Sequence, residues 1–435
     1  MPSPTVRILI QGGRAIDPVS GRDEICDLYI EDETIRKIAP RLKIEGSYIT
    51  LPAAGKIVVP GLIDLHTHMR EPGFEYKETA AHTISAAAAG GFTSICVMPN
   101  TDPVNDHQAV TRLILEKARQ AASVRVFPIG AITKGQKGIE LSEIGELVEA
   151  GCVAISDDGR PVSNSRIMRR AMEYAKIFDI PVIDHCEDLS LAPEGVMFEG
   201  ATSFTCGLIG IPAASETIMV ARDIALAELT GAKLHLAHIS TGGSVHLIRE
   251  AKRRGVTVTA ETCPHYFVLT DTCVQGFNAN AKMKPPLAST ADVEEIRAGL
   301  ADGTLDAIAT DHAPHAAHEK GLTMDSAPFG IVGLETALPL SLRLIEDGVL
   351  TWTQWVEKWT TNPARILGKP LGRLAVGDMA DLTIIDPALS WTVTADTLRS
   401  TSKNSPFLGW TLKGRAVAVL IAGKRVDIGQ SYLAA

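Results

Sequence analysis

The stretch Ile57-Val-Val-Pro-Gly-Leu-Ile-Asp-Leu-His-Thr-His68 is an apolar run that ends in two histidines. Residues two apart in a β-strand lie on the same face, so His66 and His68 would point in one direction. Because the run is apolar on both sides, it is typical of a strand covered on both faces, and a solvent-facing pair on an edge strand fits less well. Imidazole is a preferred ligand of Zn²⁺ and related divalent metals, so the pair indicates a metal site.

The middle of the chain, roughly 60–365, repeats this pattern of an apolar run followed by a helical stretch. Eight runs occur: Ile57–Leu65, Phe92–Met98, Val124–Ile129, Val153–Ser156, Pro181–Asp184, Lys233–His238, Val256–Ala260 and Leu305–Ala309. Eight strands that alternate with helices predict an α/β fold of the TIM (β/α)8 barrel type. A doubly wound open sheet is the alternative, but no GxGxxG follows the first run.

The two ends of the chain have the pattern of strands without intervening helices. Short apolar runs bounded by Gly, Pro or Asp occur at Val6–Ile10, Asp381–Ile385 and Ala416–Ala422. We therefore predict a small β-sandwich domain formed by 1–59 plus 366–435, beside a barrel that spans 60–365.

Composition favours an ordinary globular protein. The 435 residues are 45% hydrophobic and 21% charged, and the formal net charge is −9. Because Lys and Arg form no cluster, neither nucleic acid nor an anionic membrane is an expected partner. The seven cysteines form no CxxC pair, and the start Met1-Pro-Ser-Pro lacks a secretory signal. We therefore predict a cytoplasmic protein with reduced thiols.

Titratable side chains crowd the ends of the apolar runs, where the active site of a TIM barrel lies. Besides the first histidine pair, these ends carry Ser156-Asp-Asp-Gly159, Asp184-His-Cys-Glu187, His235-Leu-Ala-His238, Glu261-Thr-Cys-Pro-His265 and Thr310-Asp-His-Ala-Pro-His315. From this set, His185, His238 and Asp311 could complete a metal site with the first pair.

Some positions stay open on this reasoning. His235 and His238 are three apart and face opposite sides of a strand, so at most one would line the barrel. Asp157 and Asp158 pose the same choice. His265 follows a strand and is as easily structural as functional.

Other chemistries fit less well. No GxSxG elbow supports a serine nucleophile. Cys186 and Cys263 lie near the predicted site, but buried inert thiols are the commoner case. The remaining histidines lie in predicted helices or loops and are interpreted as surface or core residues: His82, His107, His246 and His318.

Together the motifs resemble those of the dihydroorotases in the amidohydrolase superfamily. The resemblance rests on Asp64-Leu-His-Thr-His-Met-Arg-Glu-Pro-Gly73, Met98-Pro-Asn-Thr101, Ser156-Asp-Asp-Gly159, Asp184-His-Cys-Glu187, Ala237-His-Ile-Ser240, Ala309-Thr-Asp-His-Ala-Pro-His315 and Ala327-Pro-Phe-Gly330. These motifs keep their order over nearly the whole chain. They are most similar to the class I bacterial branch, in which an aspartate replaces the carboxylated lysine that bridges two metals in hydantoinases and other dihydroorotases.

The resemblance implies a role for each matching residue. His66, His68 and Asp311 would hold one zinc ion, His185 and His238 a second, and Asp158, directly before the glycine, would bridge them. Asp311 would also be the catalytic residue. The substrate-binding residues would be His68, Arg70, Asn100, Lys284 and His315, with the backbone of Phe329 and Gly330.

The sequence differs from the family's pattern in the loop before the eighth strand–helix unit of the barrel. The family usually reads Asn-Pro-Pro-Leu-Arg there, and its Asn touches substrate, whereas this chain reads Lys284-Pro-Pro-Leu-Ala288. Lysine donates hydrogen bonds but cannot accept one. A shifted loop could bring Asn278 or Asn280 to the substrate instead.

The activity implied is the reversible, zinc-dependent interconversion of (S)-dihydroorotate plus water and N-carbamoyl-L-aspartate in de novo pyrimidine synthesis, with one or two Zn²⁺ per subunit. Asp311 would move the proton between water and the ring nitrogen. The planar fork of Arg70 would match the substrate carboxylate.

Two alternatives remain. A hydantoinase- or allantoinase-like cyclic amidase is the nearest, and a non-catalytic partner of aspartate transcarbamoylase is the alternative from another class. Arg70 and Asn100 favour a substrate with a carboxylate, and Asp158 disfavours the lysine-bridged branch. A homo-oligomer and a complex with aspartate transcarbamoylase are the expected assemblies.

Overall fold

The N-terminal part of the chain is a sheet, in a computed structural model that describes residues 6–121 and 123–429. Its strands are β1 (Arg7–Asp17), β2 (Arg22–Glu31), β3 (Thr34–Ala39), β4 (Ile49–Pro52) and β5 (Ile57–Pro60). β1 pairs antiparallel with β2 and parallel with β4 and β5.

The chain passes from this sheet into the barrel at Gly61, so the predicted first run is two strands and not one. β5 pairs antiparallel with a C-terminal strand, whereas the next strand, β6 (Leu62–Thr67), pairs parallel with β7 (Phe92–Val97). A Cβ at Gly61 would overlap the Thr93 side chain. The close approach of the two chain segments therefore requires glycine at the crossing.

Eight parallel strands form the barrel, one from each predicted run. After β6 and β7 come β8 (Arg125–Gly130), β9 (Ala154–Ile155) and β10 (Val182–Asp184), then the two-stranded excursion β11 (Met197–Phe198) and β12 (Gly210–Ile211), and then β13 (Leu234–Leu236), β14 (Val258–Thr262) and β15 (Ala307–Ile308). Neighbours in sequence are neighbours in the sheet, and the two ends meet where Thr67 pairs with His312. The predicted barrel is confirmed.

Helices follow most barrel strands. They are α1 (Ala80–Gly90), α2 (Gln108–Ala121), α3 (Ile144–Ala150), α4 (Ser165–Ile177), α5 (Ala201–Cys206), α6 (Ala214–Thr230), α7 (Gly242–Arg253), α8 (Pro264–Val268), α9 (Thr290–Ala301), α10 (Ala317–Lys320), α11 (Leu334–Glu346), α12 (Trp352–Trp359) and α13 (Thr361–Ile366). Short 3-10 turns lie at Lys134–Gln136, Asp271–Val274 and Ala279–Ala281. No helix within the described ranges is both long and apolar enough to cross a membrane.

Helix α4 shows how the sequence sets these elements. The Asn164 side chain accepts hydrogen bonds from the first backbone N–H groups of the helix, which would otherwise lack partners. Its buried residues recur at helical spacing and form one apolar stripe: Met168, Ala171, Met172 and Ala175.

The last strands return to the N-terminal sheet. β16 (Leu382–Thr392), β17 (Thr411–Ile421) and β18 (Lys424–Arg425) extend it, giving the order β18-β17-β16-β5-β1-β2-β3 with β4 beside β1. A separate hydrophobic cluster joins Leu28 and Val58 to Leu382 and Val417. The small β unit formed by both termini is thus confirmed. Its boundaries at 59/60 and 365/366 stay a prediction, and positions 1–5 and 430–435 lie outside the described residues.

Candidate active site

The six residues predicted to bind metal all lie at the carboxyl ends of barrel strands. His66 is in β6 and His68 follows it, Asp158 follows β9, His185 follows β10, His238 follows β13 and Asp311 follows β15. All six side chains are buried. The closed parallel sheet brings these distant parts of the sequence into one cluster.

Asp158 lies at the centre of this cluster, within reach of all four histidines. Its Oδ1 is 3.3 Å from His66 Nε2, 3.3 Å from His238 Nε2 and 3.6 Å from His185 Nδ1. Its Oδ2 is 3.4 Å from His68 Nε2. Oδ1 therefore lies between His66 and the His185/His238 pair, and Oδ2 faces His68, so this one carboxylate reaches both histidine groups.

Asp311 completes the cluster beside the first histidine pair. Its Oδ1 lies 3.1 Å from His68 Nε2 and 3.6 Å from His66 Nε2. The backbone of Asp311 has a φ of 46° and that of His238 a φ of 34°, in the left-handed region that residues other than glycine rarely adopt. Such strain persists where the surrounding structure fixes it, and it is common at functional sites.

Three of the histidines have their second ring nitrogen held by a hydrogen-bond acceptor. Glu261 Oε1 lies 3.0 Å from His66 Nδ1, and Asn100 Oδ1 lies 2.9 Å from His68 Nδ1. Glu187 Oε2 lies 3.0 Å from His185 Nε2. Each acceptor keeps a proton on the nitrogen it contacts, so the other nitrogen, which faces Asp158 or Asp311, is the one that would bind a metal once its own proton is released.

The donor set fits a divalent metal. Four imidazoles and two carboxylates converge, and buried His66 Nε2 makes no well-aligned hydrogen bond in the described part of the chain, although Asp158 Oδ1 lies 3.3 Å away. Buried polar atoms normally have a partner, and a bound cation would provide one here. Imidazole and carboxylate ligands together are typical of Zn²⁺ and related metals.

The charges of the cluster balance one another. Burial disfavours protonation of His66, but Asp158 and neighbouring carboxylates raise its pKa well above the usual value. Burial also opposes protonation of His185, yet Asp158 and Glu187 raise its pKa to about 9. Despite burial, the surrounding imidazoles lower the pKa of Asp158 and of Asp311. Protonated imidazoles thus neutralise the same carboxylates that a bound divalent cation would neutralise. Metal binding would therefore release protons from the histidines.

The cluster shares one cavity, of about 470 Å³, with the residues predicted to bind substrate. These residues are His68, Arg70, Asn100, Lys284, His315, Phe329 and Gly330. The structure therefore brings together the whole predicted set.

Arg70 is buried beside this cavity with a backbone φ of 65°. Its Nε donates to the Pro314 carbonyl at 3.1 Å, and its Nη2 lies 3.3 Å from His315 Nε2. No carboxylate pairs with the guanidinium among the residues that the structure describes. Burial lowers the pKa of Arg70 to about 10, so it stays charged at neutral pH and is suited to an anionic ligand.

His315 is neutral. Burial, and then the charges of Arg70 and Lys77, lower its pKa to about 2. Its Nε2 lies 2.7 Å from the Phe329 carbonyl oxygen, an acceptor, so the proton is on Nε2. Nδ1 is then free to accept from Lys77 Nζ at 3.4 Å.

Lys284 lies at the cavity wall and pairs with a carboxylate. Its Nζ is 3.0 Å from Glu187 Oε1 and 5.0 Å from the Phe329 ring centre. Through Glu187 it is linked to His185. Asn278 and Asn280, the residues that a shifted loop could have introduced, line a neighbouring cavity instead.

The structure separates the pairs that sequence reasoning left open. Asp157 accepts hydrogen bonds from the backbone N–H groups of Ile132 and Thr133 and so orders the loop after β8. His235 is fully buried, with its Nε2 3.2 Å from Glu261 Oε2. Asp158 and His238 are the members that reach the cluster.

The other candidates lie apart from the cluster. His265 is buried against Tyr266, and burial lowers its pKa to about 4. Burial raises the pKa of the Cys186 and Cys263 thiols well above the usual value, which keeps them protonated. The four remaining histidines are exposed: His82, His107, His246 and His318.

Two glutamates and an aspartate have contacts that sequence reasoning did not assign. Glu261 and Glu187 hold site histidines as described above. Asp64 accepts from the Thr310 backbone N–H at 2.8 Å and from its hydroxyl at 2.7 Å, which ties β6 to the segment after β15. The available signal was position: Asp64 and Glu187 each lie two residues from a proposed ligand, and Glu261 lies near the end of β14.

Comparison with known proteins gives one family over most of the chain. A family model described as Dihydro-orotase-like matches residues 55–244. Dihydroorotase of Geobacter metallireducens is 56% identical over 421 residues, which cover 97% of this chain and 99% of the relative. Dihydroorotase of Pelobacter propionicus is 55% identical over 421 residues, with the same coverage of each chain.

Solved structures share the architecture. L-hydantoinase (dihydropyrimidinase) from Arthrobacter aurescens superposes with a TM-score of 0.87 over 96% of this chain and 95% of its own. The two sequences are 24% identical, so this likeness concerns the fold alone.

Proposed function

Because the chain belongs to the dihydroorotase family, we propose that its site interconverts (S)-dihydroorotate plus water and N-carbamoyl-L-aspartate. The supporting observation is that buried Arg70, without a carboxylate partner among the described residues, shares one cavity with the histidine–carboxylate cluster. A substrate that is a cyclic amide and also bears a carboxylate would use both features, the cluster for its amide and Arg70 for its carboxylate. The reaction would belong to de novo pyrimidine (UMP) synthesis.

For the metal ligands we propose the following assignment. His66, His68 and Asp311 would hold one ion, His185 and His238 would hold a second, and Asp158 would contribute to both. The position of Asp158 within 3.3 to 3.6 Å of four histidine nitrogens supports this. We propose zinc, one or two ions per subunit, on the ligand types. A bound divalent metal supplies Lewis acidity and lowers the pKa of water, which amide hydrolysis at neutral pH requires.

Asp311 is the proposed general base and acid. It takes a proton from the attacking water and returns it to the ring nitrogen that leaves. The neighbouring imidazoles lower its pKa, so the carboxylate is ionised at neutral pH, which is the form that a general base must have. In ring closure the same oxygen moves the proton in the opposite direction.

The residues across the cavity from the histidine–carboxylate cluster orient the substrate. The Arg70 guanidinium matches two carboxylate oxygens, and Asn100 and His315 lie beside it. The Asn100 carbonyl already holds His68, so its amide N–H groups remain for substrate. The Phe329–Gly330 backbone and His68 contact the ring, and Lys284 borders it from the opposite loop.

The two alternatives are less well supported. A hydantoinase- or allantoinase-like amidase has no need of a buried, unpaired Arg70 in the same cavity. A non-catalytic partner of aspartate transcarbamoylase has no need of a metal cluster, and this chain keeps all six ligand residues buried together.

One assay separates these functions. The purified protein is tested for hydrolysis of dihydroorotate and of hydantoin, and the metal content of the same sample is measured. We expect turnover of dihydroorotate with bound zinc. Turnover of hydantoin alone would overturn the substrate assignment, and full metal content without turnover would favour the partner-dependent alternative.

We propose a homo-oligomer that can associate with aspartate transcarbamoylase, to be tested by light scattering of the protein alone and mixed with that enzyme. All seven cysteines are free, which suits a reducing compartment such as the cytoplasm.

A further inference from the structure

The connection between β16 and β17, residues 393–410, leaves the terminal sheet and reaches the active-site end of the barrel. Its segment 399–404 contacts the loops after β6 and β15. The Ser402 hydroxyl donates to the Lys77 carbonyl at 2.8 Å, and the Val332 N–H donates to the Asn404 carbonyl at 3.0 Å. A part of the chain outside the barrel thus borders the proposed substrate site.

Asn404 makes the most specific of these contacts. Its Oδ1 accepts from the His315 backbone N–H at 3.1 Å. Its Nδ2 donates to the Ala313 carbonyl at 3.0 Å and to the Gly330 carbonyl at 3.1 Å. The residue is 4% exposed. One amide therefore joins the two segments that present His315 and Gly330 to the cavity.

These two segments are closely packed against each other. His315 Nε2–H donates to the Phe329 carbonyl at 2.7 Å. Gly330 has a φ of 117°, and a Cβ there would lie 2.6 Å from the Ala313 side chain. A small displacement of either segment would therefore move both the His315 ring and the Phe329–Gly330 backbone.

The position of Asn404 is itself fixed by two buried carboxylates. Glu78, in the loop after β6, accepts from the Ser400 hydroxyl at 2.7 Å and from the Thr401 N–H at 2.9 Å. Glu335, at the start of α11, accepts from the Arg399 N–H at 2.8 Å and from the Ser400 N–H at 3.1 Å. The segment is held from both sides and cannot follow a displaced loop without breaking these bonds.

We infer that Asn404 is a positioning residue for substrate recognition, which acts through His315 and the Phe329–Gly330 backbone. Among the described residues, Asn404 hydrogen-bonds to none of the proposed metal ligands, so its role is separate from metal binding. The inference rests on the proposed function, since it assigns the recognition of dihydroorotate to those two segments.

The kinetic test compares Asn404→Ala with Asn362→Ala. The Asn362 side chain also donates to a backbone carbonyl, that of Asp306 at 2.8 Å, but at the opposite end of β15. For Asn404→Ala we expect the KM for dihydroorotate to rise about tenfold or more, with kcat within about threefold of wild type, because binding geometry and not chemistry is lost. Asn362→Ala should keep both constants. Equal metal content is verified in each sample.

A merely structural role gives a different result. Partial unfolding lowers the active fraction, hence the apparent kcat, and leaves KM unchanged; that outcome would overturn the inference. If Asn404→Ala does not fold, Asn404→Asp keeps the size and the acceptor for His315 but loses the donor to Ala313 and Gly330. Its KM should rise as well, and a wild-type KM would contradict the inference.

Hydrogen exchange separates this inference from the proposed function. In Asn404→Ala, peptides that span 312–332 should exchange faster than in wild type, while β1 and β2 keep their protection. Unchanged exchange over 312–332 would overturn the positioning role. If the wild-type protein does not turn over dihydroorotate, the proposed function is overturned. The exchange result then still tests whether Asn404 positions residues 312–332.

Discussion

Asp311 has two proposed tasks, as a ligand and as the group that moves the proton. We expect Asp311→Ala to fold but to lose turnover by roughly 10²- to 10⁴-fold, the usual contribution of a positioned acid or base. The measurement is kcat for dihydroorotate, with circular dichroism as a check of folding. A turnover close to wild type would show that another group moves the proton.

Asp306 provides the matched control at the other end of the same strand. Its carboxylate accepts from the Ala260 N–H at 2.9 Å and pairs with Lys252 at 2.6 Å, far from the cluster. Asp306→Ala should therefore reduce stability and leave kcat intact. A similar loss of kcat in both variants would mean that the Asp311 effect is structural.

Glu261 should set metal affinity without touching substrate. Its Oε1 holds His66 Nδ1 and its Oε2 lies beside His235, and these imidazoles lower its pKa to about 2 despite burial. We expect Glu261→Gln to weaken zinc binding about 10- to 100-fold, the usual effect of losing such a partner. Competition with a chromophoric chelator measures this.

A surface histidine–glutamate pair provides the control for replacing a charged glutamate by neutral glutamine. His246 and Glu295 form an exposed contact at 2.9 Å. Glu295→Gln should leave zinc affinity unchanged. Equal affinities for Glu261→Gln and wild type would show that Glu261 does not orient the ligand.

At the residue scale, sequence reasoning found the ligand types but not always the individual residue. Spacing could not distinguish Asp157 from Asp158, because both follow the same short strand. The difference depends on loop geometry, because the Asp157 carboxylate accepts hydrogen bonds from the backbone N–H groups of Ile132 and Thr133. Glu261 was visible only as a polar strand end, because its partner His66 is distant in sequence.

The 393–410 connection allows a prediction about pH. Burial raises the pKa of Glu78 from 4.5 to about 7, so between these values the folded protein keeps a proton that the unfolded chain releases. The free energy of unfolding therefore falls as pH rises through this window. Glu78→Gln keeps an acceptor for Ser400 and Thr401 but cannot ionise, so its stability relative to wild type should increase from pH 4.5 to 7.

Denaturant titrations across this pH range measure that difference. Glu149→Gln, at an exposed position of α3, should follow the wild-type curve because its carboxyl group is in solvent. A constant difference between Glu78→Gln and wild type would show that Glu78 is ionised throughout the window.

At the element scale, hydrophobic patterning predicted all eight barrel strands because nearly all of their residues are buried. It failed at Gly61, where an apolar run continues through a change of sheet. Both strands around Gly61 are buried, so no polar residue marks the crossing. The contacts of segment 399–404 were also invisible, since the segment has no regular structure and its partners, such as Glu78, are far away in the sequence.

At the scale of the whole molecule, the sequence predicted the barrel, the sheet formed by both termini and the end of the barrel that bears the site. It could do so because these features follow from burial and from strand order, which repeat along the chain. Interactions between loops do not repeat. The links from Lys284 through Glu187 to His185, and from Asn404 to His315, depend on side-chain placement that only the assembled barrel determines.

The proposed ligands come from five of the eight barrel strands, so metal binding should stabilise the barrel as a whole. A ligand that binds only the folded state stabilises it by about 2.7 kcal/mol when its free concentration is 100 times the Kd. We expect chelation to lower Tm and added Zn²⁺ to restore it in proportion to the logarithm of free metal. Mg²⁺ should restore much less, because it prefers oxygen ligands and imidazole dominates this site.

The small sheet is the internal reference for this experiment, because it has its own hydrophobic cluster. Hydrogen exchange should accelerate on chelation at the carboxyl ends of β6, β9, β10, β13 and β15, and less in β1 and β2. A Tm that does not change after verified metal removal would contradict the proposed ligand set. Equal acceleration in barrel and sheet would instead mean that the two unfold as one unit, with the metal stabilising both.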